Sequence, residues 1–174
     1  MRAALLLLAL LAAGPALGDE ATAAAEGFYG AYATFHPSDG IPDAQGRARY
    51  APYISPALEQ LLVQANQAEE KFARENKDSP PLIEGDLFTS NFEGATAHRL
   101  GPCRADAQTA QCPVELTYVS GPKDKPVTWT DTVHLIRAPS GWRVDDIDYG
   151  ATWAFGNKGT LKATLKETIA FAPK

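Results

Sequence analysis

Apolar positions recur at spacings of three and four near the start of the chain. Ala24, Phe28, Ala31, Tyr32 and Phe35 fall on one side of an ideal helix, which predicts a helix over residues 19–35. Pro37-Ser38-Asp39-Gly40 stops it. Ser55-Pro56 opens a second helix. Serine is a good N-cap, and proline suits the first helical position because its missing N–H would be unpaired there anyway. Leu58, Leu61, Leu62, Ala65 and Phe72 form its apolar stripe, while Glu59, Gln60, Glu69, Glu70, Lys71 and Arg74 lie largely off it. This helix ends before Asp78-Ser79-Pro80-Pro81.

From residue 94 the period changes to two. His98-Arg99-Leu100 leads into a loop, and residues 113–120 then set Val114, Leu116 and Tyr118 against Glu115, Thr117 and Val119. Gly121-Pro122-Lys123-Asp124-Lys125 has the composition of a hairpin turn. Residues 127–137 are rich in Thr, Val, Trp and Ile, which suit a pleated surface. After a turn at 138–141, residues 142–149 form the next strand, and Gly159-Thr160 opens a last helix with Leu161, Leu165 and Ile169 on one face. The expected class is α+β: N-terminal helices packed on a curved antiparallel sheet of at least four strands, with a short C-terminal helix. Such a cone has a concave, partly apolar interior.

Residues 1–18 do not belong to that domain. Arg2 precedes an eleven-residue apolar run from Ala3 to Ala13, and Ala16-Leu17-Gly18 supplies a small-x-small end. This is the pattern of a cleavable signal peptide, cut before Asp19. The run is too short for a bilayer span, which needs about 20 residues, and no Cys follows it to carry a lipid. Residues 19–174 then form a single domain of 156 residues, in the periplasm or secreted. Without Arg2 the chain has 15 basic and 21 acidic residues, a net charge of −6. Such a surface repels phosphate backbones and anionic membranes, so neither is an expected partner, and no later segment is long and apolar enough for membrane insertion after cleavage to be expected.

Cys103 and Cys112 enclose a polar, turn-like segment. In an oxidising compartment two nearby cysteines pair, and a spacing of nine fits no zinc pattern. A structural disulfide is expected.

Gly141-Trp142-Arg143-Val144-Asp145-Asp146-Ile147, followed by Gly159-Thr160-Leu161-Lys162-Ala163-Thr164-Leu165, resembles the C-terminal signature of an exported bacterial family catalogued as domain of unknown function 3828. Phe28-Tyr29-Gly30-Ala31-Tyr32, just after the leader, and Tyr53-Ile54-Ser55-Pro56-Ala57-Leu58 fit as well. Gly85-Asp86-Leu87-Phe88-Thr89 is similar to that family's Asp-Pro-Phe segment, with Leu87 where proline is expected. The resemblance covers residues 26–170 and implies a cone of the nuclear-transport-factor-2-like type. It implies no activity, because related cones host isomerases, dehydratases and plain binding modules.

Asp145, Asp146 and Asp148 form the densest acidic cluster. In a regular strand Asp146 shares a face with Trp142 and Val144, which drives it inward unless a bulge re-aims it. Inside a cavity it would serve as a general base; as a structural group it would cap a turn or accept backbone N–H bonds, and the latter is the stronger reading. His134 lies opposite the face of Trp129, Asp131, Val133 and Leu135, where an Asp–His pair across strands would make an acid–base dyad. The commoner place for such a histidine is a half-exposed sheet position. Glu84 and Asp86, like Asp146 and Asp148, are two apart, a spacing too common to mark a metal site. There is no nucleophile elbow and no phosphate-cradling glycine loop. No cofactor or metal is expected.

Aromatic residues gather near the last strand: Tyr53, Trp142, Tyr149, Trp153 and Phe155. Most belong in a core. The 149–156 segment connects strand to helix, where chains run on the surface and carry function. Tyr53, Tyr149, Trp153, Phe155, Asp145 and Asp148 are therefore the candidate contacts for a ligand or partner. Three functions remain open. The foremost is a non-catalytic binding module for an unidentified small molecule or envelope protein. The second is a cavity isomerase, dehydratase or hydrolase using Asp146 or His134. The third is an inhibitor or immunity-type protein against a basic envelope enzyme. The balance leans away from an enzyme, and the oligomeric state is open.

Overall fold

A computed structural model describes residues 17–34 and 40–171. The leader assigned to residues 1–18 falls almost wholly outside the described residues, as do Phe35 and His36. The chain forms α1 (Leu17–Tyr32), α2 (Ala44–Tyr50), α3 (Pro56–Glu75), β1 (Ala97–Leu100), β2 (Arg104–Ala105), β3 (Thr109–Tyr118), β4 (Val127–Ala138), β5 (Gly141–Asp148) and α4 (Leu161–Phe171). This is the α+β order expected: helices packed on a curved antiparallel sheet, then a short C-terminal helix.

The helices form for local reasons. Ser55 caps α3, its Oγ accepting from the Leu58 N–H at 3.0 Å, with Pro56 at the first position. Leu58, Leu62, Ala65 and Ala68 are the buried stripe of α3. On α1 the buried face is Ala21, Ala25, Phe28, Tyr29 and Tyr32, with Ala24 and Ala31 at its margins. The seven-residue α2 was not anticipated. It starts because Asp43 accepts from the Gly46 N–H at 2.7 Å, and it buries Tyr50 alone.

The sheet runs β1-β3-β4-β5, with β2 also on β3, all antiparallel. Alternation decides which side of each strand is covered. Ala110, Cys112, Val114 and Leu116 of β3 point inward, as do Trp129, Asp131, Val133 and Leu135 of β4. α1 lies across β3, β4 and β5 on that side, while α3 and α4 pack on each other and along β5. Rings meet in the core, Phe28 standing edge-on to Tyr29 and Phe88 at centroid separations of 5.2 and 5.5 Å. The outer face, with Gln111, Pro113, Glu115, Thr130, Thr132 and His134, is exposed or half-exposed.

The far side of β5 is closed by chain from before α3. Ser55 N–H donates to the Val144 carbonyl and Val144 N–H to the Tyr53 carbonyl, both at 2.8 Å. Further along, Tyr149 N–H donates to Gly159 O at 3.0 Å.

The Cys103–Cys112 disulfide is formed, with a Cα separation of 4.2 Å. It joins the β1–β2 connection to the buried side of β3. The Thr22 hydroxyl donates to Cys103 Sγ at 3.1 Å, which ties the first turns of α1 to the same point.

Candidate functional site

Residues 86–90 are five consecutive buried residues that belong to no helix or strand. A buried irregular segment must find partners for its backbone groups, since the polar groups of a peptide cannot be left dry without penalty. Here side chains supply them. Asp86 Oδ1 accepts from the N–H groups of Phe88 and Thr89 at 2.6 and 2.7 Å. Asn157 Nδ2 donates to the carbonyls of Asp86 and Thr89 at 2.6 and 2.7 Å. Tyr149 Oη donates to the Leu87 carbonyl at 2.6 Å. Ser90 N–H donates to Asp131 Oδ2 at 2.8 Å.

Asp131 is the centre of this arrangement. It is fully buried on β4 and accepts from four donors: Ser90 N–H, Ser90 Oγ, Trp129 Nε1 at 3.1 Å and Gly150 N–H at 2.8 Å. It thereby fastens two connections, 86–90 and 149–158, to the same strand. Ser90 Oγ in turn accepts from Ala151 N–H at 3.1 Å, and Ser90 O from Asn157 N–H at 3.0 Å.

Asp86 is the second buried carboxylate of the segment. It also accepts from the Tyr32 hydroxyl at 2.6 Å. Burial pushes its pKa up, and the donors from Tyr32, Phe88 and Thr89 pull it partly back, leaving it at about 7. The Tyr29 hydroxyl, in the same interior, is buried without a hydrogen-bond partner among the described residues.

The 149–158 connection is consequently held at both ends. Gly150 and Gly156 permit the approach: a Cβ at Gly150 would lie 2.0 Å from Thr130 O, and one at Gly156 2.5 Å from Ser90 O. Lys158 Nζ reaches back to Ala151 O at 2.9 Å. Between these fixings Trp153 rests half-buried, edge-on to Trp129 at 5.3 Å. Phe155 projects with 89 % of its surface exposed.

Of the other candidate contacts, Tyr149 is buried and Tyr53 half-buried, its ring lying over Gly27. Asp145 is half-buried between Ser55 Oγ at 2.6 Å and Lys162 Nζ at 2.7 Å. Asp148 is exposed.

The strand irregularity between His134 and Leu135 places an extra β5 residue, Asp145, in the ladder. This re-aims Asp146 towards α4 instead of the interior. Asp146 Oδ1 accepts from Lys162 N–H and Ile147 N–H, each at 2.9 Å, and Oδ2 from Thr160 Oγ1 at 2.9 Å. A carboxylate at the start of a helix also complements its dipole. Asp146→Ala should lower the stability to urea by about 1–3 kcal/mol, because these donors lose their acceptor. An unchanged or higher midpoint refutes the structural role.

His134 does meet an aspartate across neighbouring strands, but it is Asp148, at 2.8 Å on the outer face of the sheet. Among the described residues the pair stands open to solvent, its two side chains 30 % and 51 % exposed. Larger surface clefts lie elsewhere. A groove of about 590 Å³ runs between the C-terminal ends of α3 and α4, lined by Phe72, Pro80, Pro81, Leu82 and Phe171 among others. A depression of about 340 Å³ flanks α2. Neither is lined by Asp146, His134 or Asp148. Among the described residues no group of three or more His, Cys, Asp or Glu is placed to hold a metal ion, and no helix is long and apolar enough to cross a membrane.

Sequence reasoning passed over Asp131, Ser90 and Asn157. Asp131 had a readable signal, an aspartate in the inward register of an otherwise apolar strand face. Ser90 and Asn157 had none, since their roles depend on a loop path that no periodicity encodes. Compared with protein-family models, with curated proteins and with solved structures, the chain finds no match.

Proposed function

We propose that the chain is exported and acts outside the cytoplasm as a non-catalytic binding or interaction module, with the 149–158 loop as its contact surface. The observation that carries this reading is the loop itself. Its ends are fixed by Asp131, Ser90, Asn157 and two glycines, and its tip presents Phe155 almost fully to solvent. An exposed aromatic on a loop held at both ends loses less entropy on contact than one on a free segment, which is what interface anchors require. The disulfide and the N-terminal leader pattern support an oxidising compartment. The resemblance to the exported family, with its cone of the nuclear-transport-factor-2-like type, belongs to the same proposal.

The test uses the full chain in an exporting bacterial host, with a photo-crosslinking residue at position 155 or, as a control, at exposed Thr130. The expected result is a mature chain beginning at Asp19 that crosslinks to one predominant envelope component from position 155 and not from 130. Equal crosslinking from both positions, or none from 155, overturns the loop as contact surface. A retained leader overturns export.

A further inference from the structure

Two features coincide at residue 86. Asp86 is 1 % exposed and forms no ion pair among the described residues. The segment it organises is the one to which the aromatic loop is strapped, because a single Asn157 amide bridges the Asp86 and Thr89 carbonyls. The groups facing Asp86 offer no cation to hold a charge. Tyr32 and Tyr29 face it from α1, and Tyr149 from the end of β5. Asp131 of β4 lies on the other side of the same segment, where it accepts from the Ser90 N–H.

We infer that Asp86 is a proton-sensitive latch on the aromatic loop. With its proton, the carboxyl is neutral in a dry site, and the 86–90 turn stays seated. Without it, a charge is left in the dry interior with no cation beside it, held only by the Tyr32 hydroxyl and the Phe88 and Thr89 N–H groups. Residues 86–90 then gain by moving to water, and the Asn157 strap and the 149–158 loop loosen with them. The sign follows from burial: raising the pH through neutrality releases the latch, and lowering it re-engages the latch. This regulation rests on the reading of 149–158 as the contact surface. The loosening itself is a property of the chain alone and is measured without any partner.

Amide hydrogen exchange, corrected for its intrinsic pH dependence, reads the latch directly. Between pH 5.5 and 8.5 the amides of Phe88, Thr89 and Asn157 should lose protection at least ~10-fold relative to those of β3 and β4. Their half-point should lie near the Asp86 value of about 7. Asp86→Asn, which keeps every histidine, should remove the step. Should that chain not fold, Tyr32→Phe provides the second arm. Losing the Tyr32 donor disfavours the carboxylate, so the half-point should move up. Protection independent of pH in the natural chain, a step that persists in Asp86→Asn, or a half-point unmoved in Tyr32→Phe overturns the latch. Failure here leaves the crosslinking result at position 155 untouched, so the two readings fail separately.

Discussion

Asp131→Ala should unfold the chain at markedly lower urea, losing about 4 kcal/mol or more. The carboxylate is fully buried and accepts from four donors on three parts of the chain. Alanine leaves Ser90 N–H, Ser90 Oγ, Trp129 Nε1 and Gly150 N–H with no acceptor. Each buried group left unpaired costs about 1–3 kcal/mol. Water entering as the two loops lift away will recover part of that, which keeps the total below the simple sum. The loss is therefore larger than for a typical point change of about 1 kcal/mol. Asp131→Asn should fall between, since the amide preserves the shape but turns one acceptor into a donor facing donors. Paired urea curves decide this: a loss below ~1 kcal/mol for alanine would show that the loops find their partners without Asp131.

Opening the Cys103–Cys112 bridge should lower stability by about 2.5–3 kcal/mol while leaving the fold intact. In the chain-entropy model that is the contribution of closing a loop of roughly ten residues. The bridge is local, so β3, β4 and β5 keep their pairing without it. The structure adds a second consequence. Cys103 is also where α1 is moored, through Thr22, so the first turn of α1 should fray on reduction. Urea denaturation with and without reductant measures the loss, and amide exchange over residues 19–23 measures the fraying. Two titratable thiols in unreduced, denatured protein would sink the assignment, and a reduced chain that no longer folds would show that the bridge does more than close a short loop.

The parts of this fold that could be read in advance are those where one residue reports its own surroundings. Leu58, Leu62 and Ala65 announce a helix face, and Val114, Leu116, Val133 and Leu135 announce the covered side of a sheet, because burial repeats with the geometry of the element. What stayed hidden depends on partners far away in sequence. β1 and β2 are four and two residues long, interrupted by Gly101-Pro102, and carry no strong apolar alternation. In α2 the sequence Ala-Gln-Gly-Arg-Ala-Arg-Tyr has no stripe at all. Asp146 illustrates the limit well. Strand periodicity points it inward, and one inserted residue, which composition does not mark, turns it to cap α4 instead. Asp86 looked like half of a chance acidic pair, and only the buried turn of residues 86–90 gives it a role.

The closure of β5 by residues 53–55 bears on how the chain behaves when crowded. A sheet with free edges invites another copy to add a strand, the first step of edge-to-edge aggregation. On the β5 side the Val144 N–H and C=O are already engaged by Tyr53 and Ser55, and the Tyr149 N–H by Gly159. On the other side β1 is only four residues long, carries the exposed charge of Arg99, and runs into Gly101-Pro102, where proline has no N–H to offer. Among the described residues neither margin is a long, uninterrupted strand edge. The sheet thus has its templating sites blunted at both edges, by the chain's own backbone along β5 and by a short, charged, proline-ended strand at β1.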